Sequence, residues 1–442
     1  MKKSNCLLST ALGCAALFGA SAANAEDYII IANGNSLPTD LYTQVNEAGG
    51  YLAKTYPFGI AIANSSDSGF AEKLYDLANI KDVIVDAGFD TIRVTDDVDA
   101  DAGFPPTSGD DDFFFDLQWG HNYVGAQEAW ASGYTGQGVR VAVLDSGFDT
   151  DHPDLAPNVN LSLSADMTGE GLVYALPDTF SHGTHVAGTI AAADNGFGTI
   201  GVAPDAELVL VKVLGDTGSG SFADIIAGIY HAANVDADVI NMSLGALIPR
   251  QGLGSDNAAV SALANAVNKA ITFAHQNGTT VVVSAGNDAH DLDGDKGAVR
   301  FNTGMSHAVG ISALTTINWA GMPNSQTLVG ASYTNFGTSM VDFSAPGGSV
   351  DYPGNEGCVV AGIARPCWVF DLVFSTGNNG WYWSAGTSMA SPHAAGVAAL
   401  IISETGNSNP AHVIREMRKR ASDGGKPGRD DVYGHGIANS GN

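Results

Sequence analysis

Positively charged side chains are scarce in this sequence. Lysine and arginine together number 19 against 47 aspartate and glutamate residues, which gives a formal net charge of −28. A nucleic-acid-binding protein needs a basic footprint, and the sequence shows none, so that class of partner is excluded. An acidic surface favours solubility, and carboxylates are also the ligands that hard cations such as Ca²⁺ prefer.

Cysteine is scarce as well, with four residues in the whole chain. Two of them lie within the first 25 residues, which leaves Cys358 and Cys367 on a loop that also contains Gly357 and Pro366. In an oxidising compartment we expect this pair to form a disulfide, the alternative being two free buried thiols. A metal site would need more ligands than this loop offers.

Long hydrophobic runs are absent after residue 25, so the sequence predicts no membrane-spanning helix and no membrane anchor. Before that point, Lys2 and Lys3 precede an apolar stretch from Leu7 to Phe18, and Ala23-Asn24-Ala25 offers small residues to a signal peptidase. This pattern is typical of a secretory signal peptide. We therefore expect residues 1–25 to be removed and the protein to be secreted, either outside the cell or into a periplasm.

The rest of the chain divides into two blocks and a linker. Residues 26–94 predict the order strand, helix, strand, strand, helix, strand, which is a small α+β unit of the split β-α-β kind. Residues 95–112 are rich in Asp, Gly, Pro and Ser, a composition typical of linkers and of sites of proteolysis. Residues 113–442 alternate short β-branched strands with longer helices, which predicts a doubly wound α/β domain with a mostly parallel sheet.

Two polar motifs in the second block indicate a carboxylate and a base. Asp145 ends an apolar strand, although an aspartate in that place is as often a turn or helix-capping residue. His182 and His185 open a helix of small residues. These two histidines fit a metalloprotease site poorly because no acidic partner is near, so we favour His182 as a general base oriented by Asp145.

Two further motifs indicate a nucleophile and an oxyanion donor. Ser388 opens a helix in the segment Gly386-Thr387-Ser388-Met389-Ala390-Ser391-Pro392, where N-terminal amides stabilise negative charge. Serine also caps helices, so this motif alone leaves both roles open. Asn287 follows a buried strand and favours the catalytic role, because its amide and the N–H of Ser388 can both donate to an oxyanion.

With these four motifs in this order, the chain from about Asp116 to Asn439 resembles the subtilisin-like serine proteases (subtilases, peptidase family S8). The resemblance implies that Ser388 is the nucleophile, His182 the general base, Asp145 the group that orients it, and Asn287 an oxyanion donor. It also implies that residues 26–94 are a propeptide, a folding aid and intramolecular inhibitor. Self-cleavage is then expected somewhere between about Val94 and Asp112.

The resemblance also implies where a peptide substrate and a cation bind. Two edge segments are expected to clamp an extended peptide, and the strand before Asn287 to line the primary specificity pocket. These substrate-binding residues are Gly218, Ser219, Gly220, Ser243, Leu244, Gly245, Ser284, Ala285 and Gly286. A structural Ca²⁺ ion is expected at Asp154, Asn195, Phe197 and Thr199, the alternative being an ordinary polar turn.

We therefore expect a secreted, monomeric serine endopeptidase that hydrolyses proteins or peptides through an acyl-enzyme and is made as a self-processing zymogen. A specialised processing protease, or one that transfers the acyl group to an amine, shares the same intermediate and stays open. An inactive binding protein on the same scaffold is disfavoured because all four chemical positions are present. A carboxyl-type peptidase, which shares a Gly-Thr-Ser segment, is disfavoured by His182 and Asn287.

Overall fold

The structure is a computed structural model. It describes residues 25–90, 98–99, 112–178, 180–245, 247–249, 257–294, 298–301, 304–323, 328–352 and 354–441. The predicted signal peptide (but for Ala25) and most of the predicted linker, with its processing site, lie outside the described residues.

Residues 25–90 form an N-terminal unit, a four-stranded antiparallel sheet in the order β2-β3-β1-β4 with two short helices. Its elements are β1 (Glu26–Ala32), α1 (Leu41–Glu47), β2 (Gly50–Tyr56), β3 (Ile60–Ser65), α2 (Phe70–Tyr75) and β4 (Ile80–Val85). The predicted element order is confirmed. The sequence predicts the second helix over residues 69–80, but α2 ends at Tyr75, and Ile80 already pairs with Ala32 as part of β4.

Residues 112–441 form the main domain. Two short strands precede it, β5 (Gly88–Asp90) and β6 (Val98–Asp99). Its helices are α3 (Gly120–Tyr123), α4 (Ala126–Ala131), α5 (His182–Ala191), α6 (Phe222–Asn234), α7 (Asn257–Gln276), α8 (Thr387–Thr405) and α9 (Pro410–Arg420). Its strands are β7 (Arg140–Asp145), β8 (Ala165–Asp166), β9 (Glu207–Lys212), β10 (Ser219–Ser221), β11 (Val239–Met242), β12 (Leu247–Pro249), β13 (Thr280–Ser284), β14 (Ala298–Arg300), β15 (Ala308–Thr315), β16 (Val329–Gly330), β17 (Phe343–Pro346), β18 (Gly357–Val360), β19 (Ile363–Pro366), β20 (Val373–Gly377) and β21 (Gly380–Ser384).

The main sheet has the order β16-β15-β13-β11-β7-β9-β8, and β17 also pairs with β15. Within this sheet, β15, β13, β11, β7, β9 and β8 run parallel to one another. Strand β17 is parallel to β15, whereas β16 is antiparallel to it. Side chains alternate between the two faces: Val141 and Val143 pack towards α5 and α8, whereas Ala142 and Leu144 pack towards α6 and α7. The predicted doubly wound α/β fold is confirmed.

The N-terminal unit packs on the α6 and α7 side of the main domain. Ile29 and Ile31 of β1 point away from the unit's own helices and join the core formed by α6 and α7. The ring of Phe58 lies 5.1 Å from that of Phe273, and Lys269 Nζ donates to the carbonyl of Gly34 at 2.6 Å. A continuous apolar core therefore joins the two parts of the chain.

A hairpin of β18 and β19 carries the predicted disulfide. Cys358 and Cys367 are joined, with their Cα atoms 4.9 Å apart. The link lies at the base of this hairpin, beside a buried aromatic cluster that includes Phe370, Phe374 and Trp383. None of the helices in the described part of the chain is long and apolar enough to cross a membrane.

Candidate active site

Asp145 and His182 meet at the carboxyl edge of the main sheet. Asp145 is the last residue of β7 and is completely buried, and His182 is the first residue of α5, which Ser181 caps by accepting the N–H of Thr184. His182 Nδ1 lies 2.7 Å from Asp145 Oδ1, and Ser146 N–H donates to the same oxygen at 2.7 Å. With the carboxylate as acceptor, Nδ1 carries the ring proton and Nε2 is left as a base.

Ser388 is the second residue of α8 and is tied to β11. Its Oγ donates to the carbonyl of Ser243 at 3.2 Å, while Ser243 Oγ donates to the carbonyl of Ser388 at 2.7 Å. Behind them, Asn241 Nδ2 donates to Ser243 Oγ, and Ser391 Oγ donates to Asn241 Oδ1. The hydroxyl of Ser388 is thus hydrogen-bonded to a carbonyl of the predicted substrate-binding segment. Rotation about the Cα–Cβ bond of Ser388 would change this hydrogen-bond partner.

Asn287 is held in one orientation beside Ser388. Its Oδ1 accepts the N–H of Thr387 at 2.9 Å and the hydroxyl of Thr387 at 2.8 Å. The oxygen is therefore occupied, and Nδ2 is the atom on the opposite side of the amide. A Cβ placed on Gly386 would lie 3.4 Å from Asn287 Nδ2 and 3.5 Å from Ser388 N. The two predicted oxyanion donors thus converge on one small space, which is open because residue 386 is glycine.

The predicted substrate-binding residues lie in three segments, two of which contact the start of α8, through Ser243 and Ser388 and through Gly286 and Thr387. Gly218, Ser219 and Gly220 lie at β10, Ser243, Leu244 and Gly245 follow β11, and Ser284, Ala285 and Gly286 lead from β13 to Asn287. Asn335 organises the third segment: Nδ2 donates to the carbonyl of Ala285 at 3.0 Å and Oδ1 accepts the N–H of Asp288 at 3.0 Å. Sequence reasoning missed Asn335 because a single asparagine far along the chain carries no local signal.

The edge segment β10 is paired with the chain's own β5. The register joins Ser219 with Asp90, Gly220 with Phe89, and Ser221 with Gly88. Just before β5, the carboxylate of Asp86 accepts the N–H groups of Phe222 and Ala223 at 3.1 and 3.3 Å, at the start of α6. Burial raises the pKa of Asp86 to about 6, against the effect of these hydrogen bonds. One of the two edge segments that are expected to bind a peptide, β10, is thus paired with a strand of the chain itself.

One of the predicted cation ligands, Asp154, is a buried carboxylate that is hydrogen-bonded to another, Thr199. Thr199 N and Oγ1 donate to Asp154 Oδ2 at 2.8 and 3.1 Å, and Asp154 Oδ1 is buried with no hydrogen-bond partner in the described residues. Burial raises the pKa of Asp154 to about 6. Asp112 Oδ1 accepts the N–H of Phe197 at 3.1 Å and of Asn195 at 3.4 Å. A residue that composition assigned to the linker therefore belongs to this loop.

The loop and its neighbours offer oxygen atoms of the kind that bind a hard cation. Gly198 allows the close approach, because a Cβ there would overlap both carboxylate oxygens of Asp154. Trp381 Nε1 also donates to Asp154 Oδ2, at 2.8 Å. Within the described ranges, no group of three or more His, Cys, Asp or Glu side chains could hold a metal ion. A cation here would therefore need amide and backbone oxygens besides carboxylates, which is a donor set that suits Ca²⁺.

The other histidines near the site are buried in the core. His185 Nε2 lies 3.2 Å from the carbonyl of Val373, and His393 Nδ1 lies 2.8 Å from the carbonyl of Met389. Burial lowers the pKa of His185 to about 3 and that of His393 to about 4. These side chains are neutral at ordinary pH and pack the α5 and α8 side of the sheet.

Comparison with known proteins identifies the family of the chain. The profile of the subtilase family matches residues 136–436. The chain is 35% identical over 324 residues to subtilisin NAT of Bacillus subtilis subsp. natto, a match that covers 73% of this chain and 70% of the relative. It is also 35% identical over 324 residues to subtilisin of Bacillus pumilus, with 73% of this chain and 97% of that protein covered.

Solved structures show the same fold. The epidermin leader peptide processing serine protease of Staphylococcus aureus superposes with a TM-score of 0.72 at 22% identity, covering 94% of this chain and 97% of that one. A lanthipeptide protease superposes with a TM-score of 0.59 at 28% identity, covering 74% of this chain and 92% of that one.

Proposed function

The chain belongs to the subtilase family of serine peptidases, and from this we propose that it is an exported endopeptidase made as a self-processing precursor. The observation that carries the proposal is the convergence of two amide donors, Asn287 Nδ2 and Ser388 N, beside Ser388 at the start of α8, with a hydrogen-bonded Asp145–His182 pair at the carboxyl edge of the sheet. Acyl transfer needs these groups, a base, a nucleophile and oxyanion donors, in one place.

The proposed reaction begins at Ser388. His182 Nε2 takes the hydroxyl proton as Oγ attacks the substrate carbonyl, and Asp145 stabilises the resulting imidazolium. The negative oxygen of the tetrahedral intermediate then occupies the space next to Gly386, where Asn287 Nδ2 and Ser388 N donate to it. His182 passes its proton to the leaving amine, and water repeats the sequence on the acyl-enzyme. A substrate N–H that binds the carbonyl of Ser243 would release the hydroxyl of Ser388 for this step.

The N-terminal unit is the proposed intramolecular inhibitor. Its strand β5 lies on β10, the edge where a peptide substrate is expected to bind, and its aromatic residues dock on α6 and α7. A substrate cannot add to β10 while β5 is there, so activity requires a cut in the chain after β5 and release of the unit. Residues 91–97, between the two strands β5 and β6, include the N-terminal end of the predicted processing range.

The first experiment compares wild type with Ser388→Ala, following the mass of each chain and the hydrolysis of casein. We expect wild type to lose its N-terminal unit and digest casein, and Ser388→Ala to keep its full length and stay inert. Ser403→Ala, at the other end of the same helix, is the matched control and should process normally. Activity of Ser388→Ala equal to wild type would refute the proposal.

A structural Ca²⁺ ion is proposed at Asp154, with Asp112 and the loop of Asn195, Phe197 and Thr199. The buried carboxylate with its raised pKa supports a cation, because a bound positive charge would offset the cost of ionising Asp154. We expect a chelator to lower the unfolding temperature by about 5 °C or more, and added Ca²⁺ to restore it. Asp154→Asn should remove this response and Asp293→Asn, in an exposed acidic loop, should keep it. A full response in Asp154→Asn would exclude this site.

Export is proposed on the signal-like residues 1–25 and can be tested by N-terminal sequencing of protein from the culture medium. An intact Met1 on protein retained in cells would contradict it. We propose that the released enzyme is a monomer, which light scattering checks.

A second candidate is a protease specialised for one precursor. It is favoured by the likeness to a lanthipeptide protease and to a leader peptide processing protease. A peptide library separates the two, because a general endopeptidase cleaves many sequences and a processing enzyme cleaves few.

A further inference from the structure

A completely buried lysine lies next to the strand that carries Asp145. Lys212 is the last residue of β9 and pairs with Asp145, the last residue of β7. Its ammonium group donates to Asp216 Oδ1 at 2.7 Å and lies 3.3 Å from Glu170 Oε2. A charge that is taken out of water needs such partners, because its desolvation costs several kcal/mol. The proposed reaction does not use Lys212, so its burial has another cause.

Asp216 joins this lysine to two backbone segments near the active site. Its Oδ2 accepts the N–H of Ala175 at 2.8 Å, in the loop before α5. Its Oδ1 lies against Gly147, two residues after Asp145, and a Cβ on that glycine would overlap the carboxylate oxygen. The side chain of Asp216 is itself buried. The ion pair with Lys212 therefore holds Asp216 in a narrow space where two other segments of the backbone meet.

The backbone of Asp216 belongs to the turn that precedes β10. Gly215 N donates to the carbonyl of Ser219 at 2.7 Å, and Gly218 N donates to the carbonyl of Gly215 at 2.8 Å, which closes the turn. Glu170 Oε2 also accepts the N–H of Asp216, at 3.2 Å. The turn carries Gly218 and Ser219, two of the predicted substrate-binding residues. The position of this predicted peptide edge is therefore linked, through Asp216, to the buried lysine.

We propose that Lys212 and Asp216 are positioning residues, which hold the turn of residues 215–219 so that β10 can pair with an extended polypeptide substrate. This inference rests on the proposed peptidase function. The ion pair acts through the backbone of the turn, so it strengthens binding of the substrate and of the transition state by the same amount. Its loss should therefore raise KM and leave kcat nearly unchanged.

The first test compares Lys212→Met with Lys419→Met, a matched control on exposed α9, in the released enzyme. Methionine fills a similar volume but leaves the carboxylate of Asp216 buried without its counter-ion, and a broken buried pair is costly. We expect KM for an internally quenched peptide that wild type cleaves to rise about five- to tenfold, with kcat within about twofold of wild type. Lys419→Met should change neither constant.

The second test does not depend on peptidase activity. Amide hydrogen exchange is measured on the Ser388→Ala precursor, and residues 215–221 are compared with the central strand β13. We expect Lys212→Met to accelerate exchange about tenfold or more in residues 215–221 and to leave β13 unchanged. Asp216→Asn keeps the size of the side chain and an acceptor for Ala175. It replaces Lys212→Met in both tests if that variant does not fold.

A raised KM together with faster exchange confined to residues 215–221 supports the proposal. An unchanged KM, a loss in kcat alone, unchanged exchange in residues 215–221, or equal acceleration in β13 overturns it. A loss in kcat alone would indicate an effect on Asp145, and acceleration in β13 would indicate a general loss of stability. If wild type cleaves neither peptides nor casein, the peptidase function itself is refuted, and the exchange measurement still decides whether Lys212 holds the turn.

Discussion

The two faces of the main sheet are packed with different side chains. Helix α8 covers one face with small residues, among them Ala390, Ala394, Ala395, Ala398 and Ala399, whereas α6 covers the other with Phe222, Ile225, Ile226 and Ile229. Small side chains let α5 and α8 pack closely against each other and the sheet, and His182 and Ser388 lie at the starts of these two helices. Large ones complete the apolar core on which the N-terminal unit docks. On the proposed function, one face serves chemistry and the other serves maturation, so substitutions should separate the two.

The largest effect is expected on the α5 and α8 face. His182→Ala removes the proposed base, and kcat should fall by a factor of about 10⁴ or more. The precursor should still fold, since His182 makes no contact with the N-terminal unit's core. Steady-state kinetics and thermal unfolding check the two statements, with Glu47→Ala, an exposed residue at the end of α1, as the control that keeps full activity.

Gly386→Ala should reduce kcat by about 10²–10³ with a smaller change in KM. The new methyl group would occupy the space on which Asn287 Nδ2 and Ser388 N converge, and one lost oxyanion donor costs about 3–4 kcal/mol. The glycine has φ of 155°, so some loss of stability is expected as well. Gly357→Ala, where a Cβ meets no neighbour, is the control. An unchanged kcat in folded Gly386→Ala would show that this space is not the oxyanion site.

On the α6 and α7 face, Phe58→Ala should weaken docking of the N-terminal unit without altering the released enzyme. The ring contacts Tyr56, Tyr230 and Phe273, and truncation of such a residue costs about 3 kcal/mol. We expect a lower unfolding temperature of a Ser388→Ala precursor and faster maturation in the active background. Tyr42→Ala, an exposed aromatic of the same unit, should change neither. A change in kcat of the released enzyme would contradict the separation of the two faces.

Acid should weaken the α5 and α8 face through its buried histidines. Burial lowers the pKa of His121 to about 3, and neither ring nitrogen has a hydrogen-bond partner in the described residues. An unfolded histidine titrates near 6.5, so below that pH the unfolded chain binds more protons and the free energy of unfolding falls. Between pH 6.5 and 5 we expect a loss of about 2 kcal/mol for each such histidine.

Urea unfolding of the Ser388→Ala precursor at several pH values measures this loss. His121→Phe, which keeps an aromatic ring beside Phe115 and Trp130, should reduce the pH dependence. An identical pH dependence in His121→Phe and wild type would exclude His121 as a contributor.

The main elements could be predicted from the sequence because their signals are local. Apolar periodicity predicts the strands and helices of both parts, and the motifs around Asp145, His182, Asn287 and Ser388 indicate the family by standing together in this order. Asp112 was assigned to the linker, since an aspartate in a polar run carries no sign of the loop that it contacts. The pairing of β5 and β6 with distant edges could not be predicted, because strand addition depends on backbone hydrogen bonds and leaves little trace in composition.

Trp381 gives the protein an optical reporter. Its indole donates to Asp154 and its ring centre lies 5.2 Å from that of His152. We therefore expect the fluorescence of Trp381 to respond to a change in the charge or ligands of Asp154. It should also respond to protonation of His152, because a charged imidazole quenches indole emission. Binding of the proposed cation could be followed in real time without a label, with Trp381→Phe as the reference that records the emission of the other tryptophans.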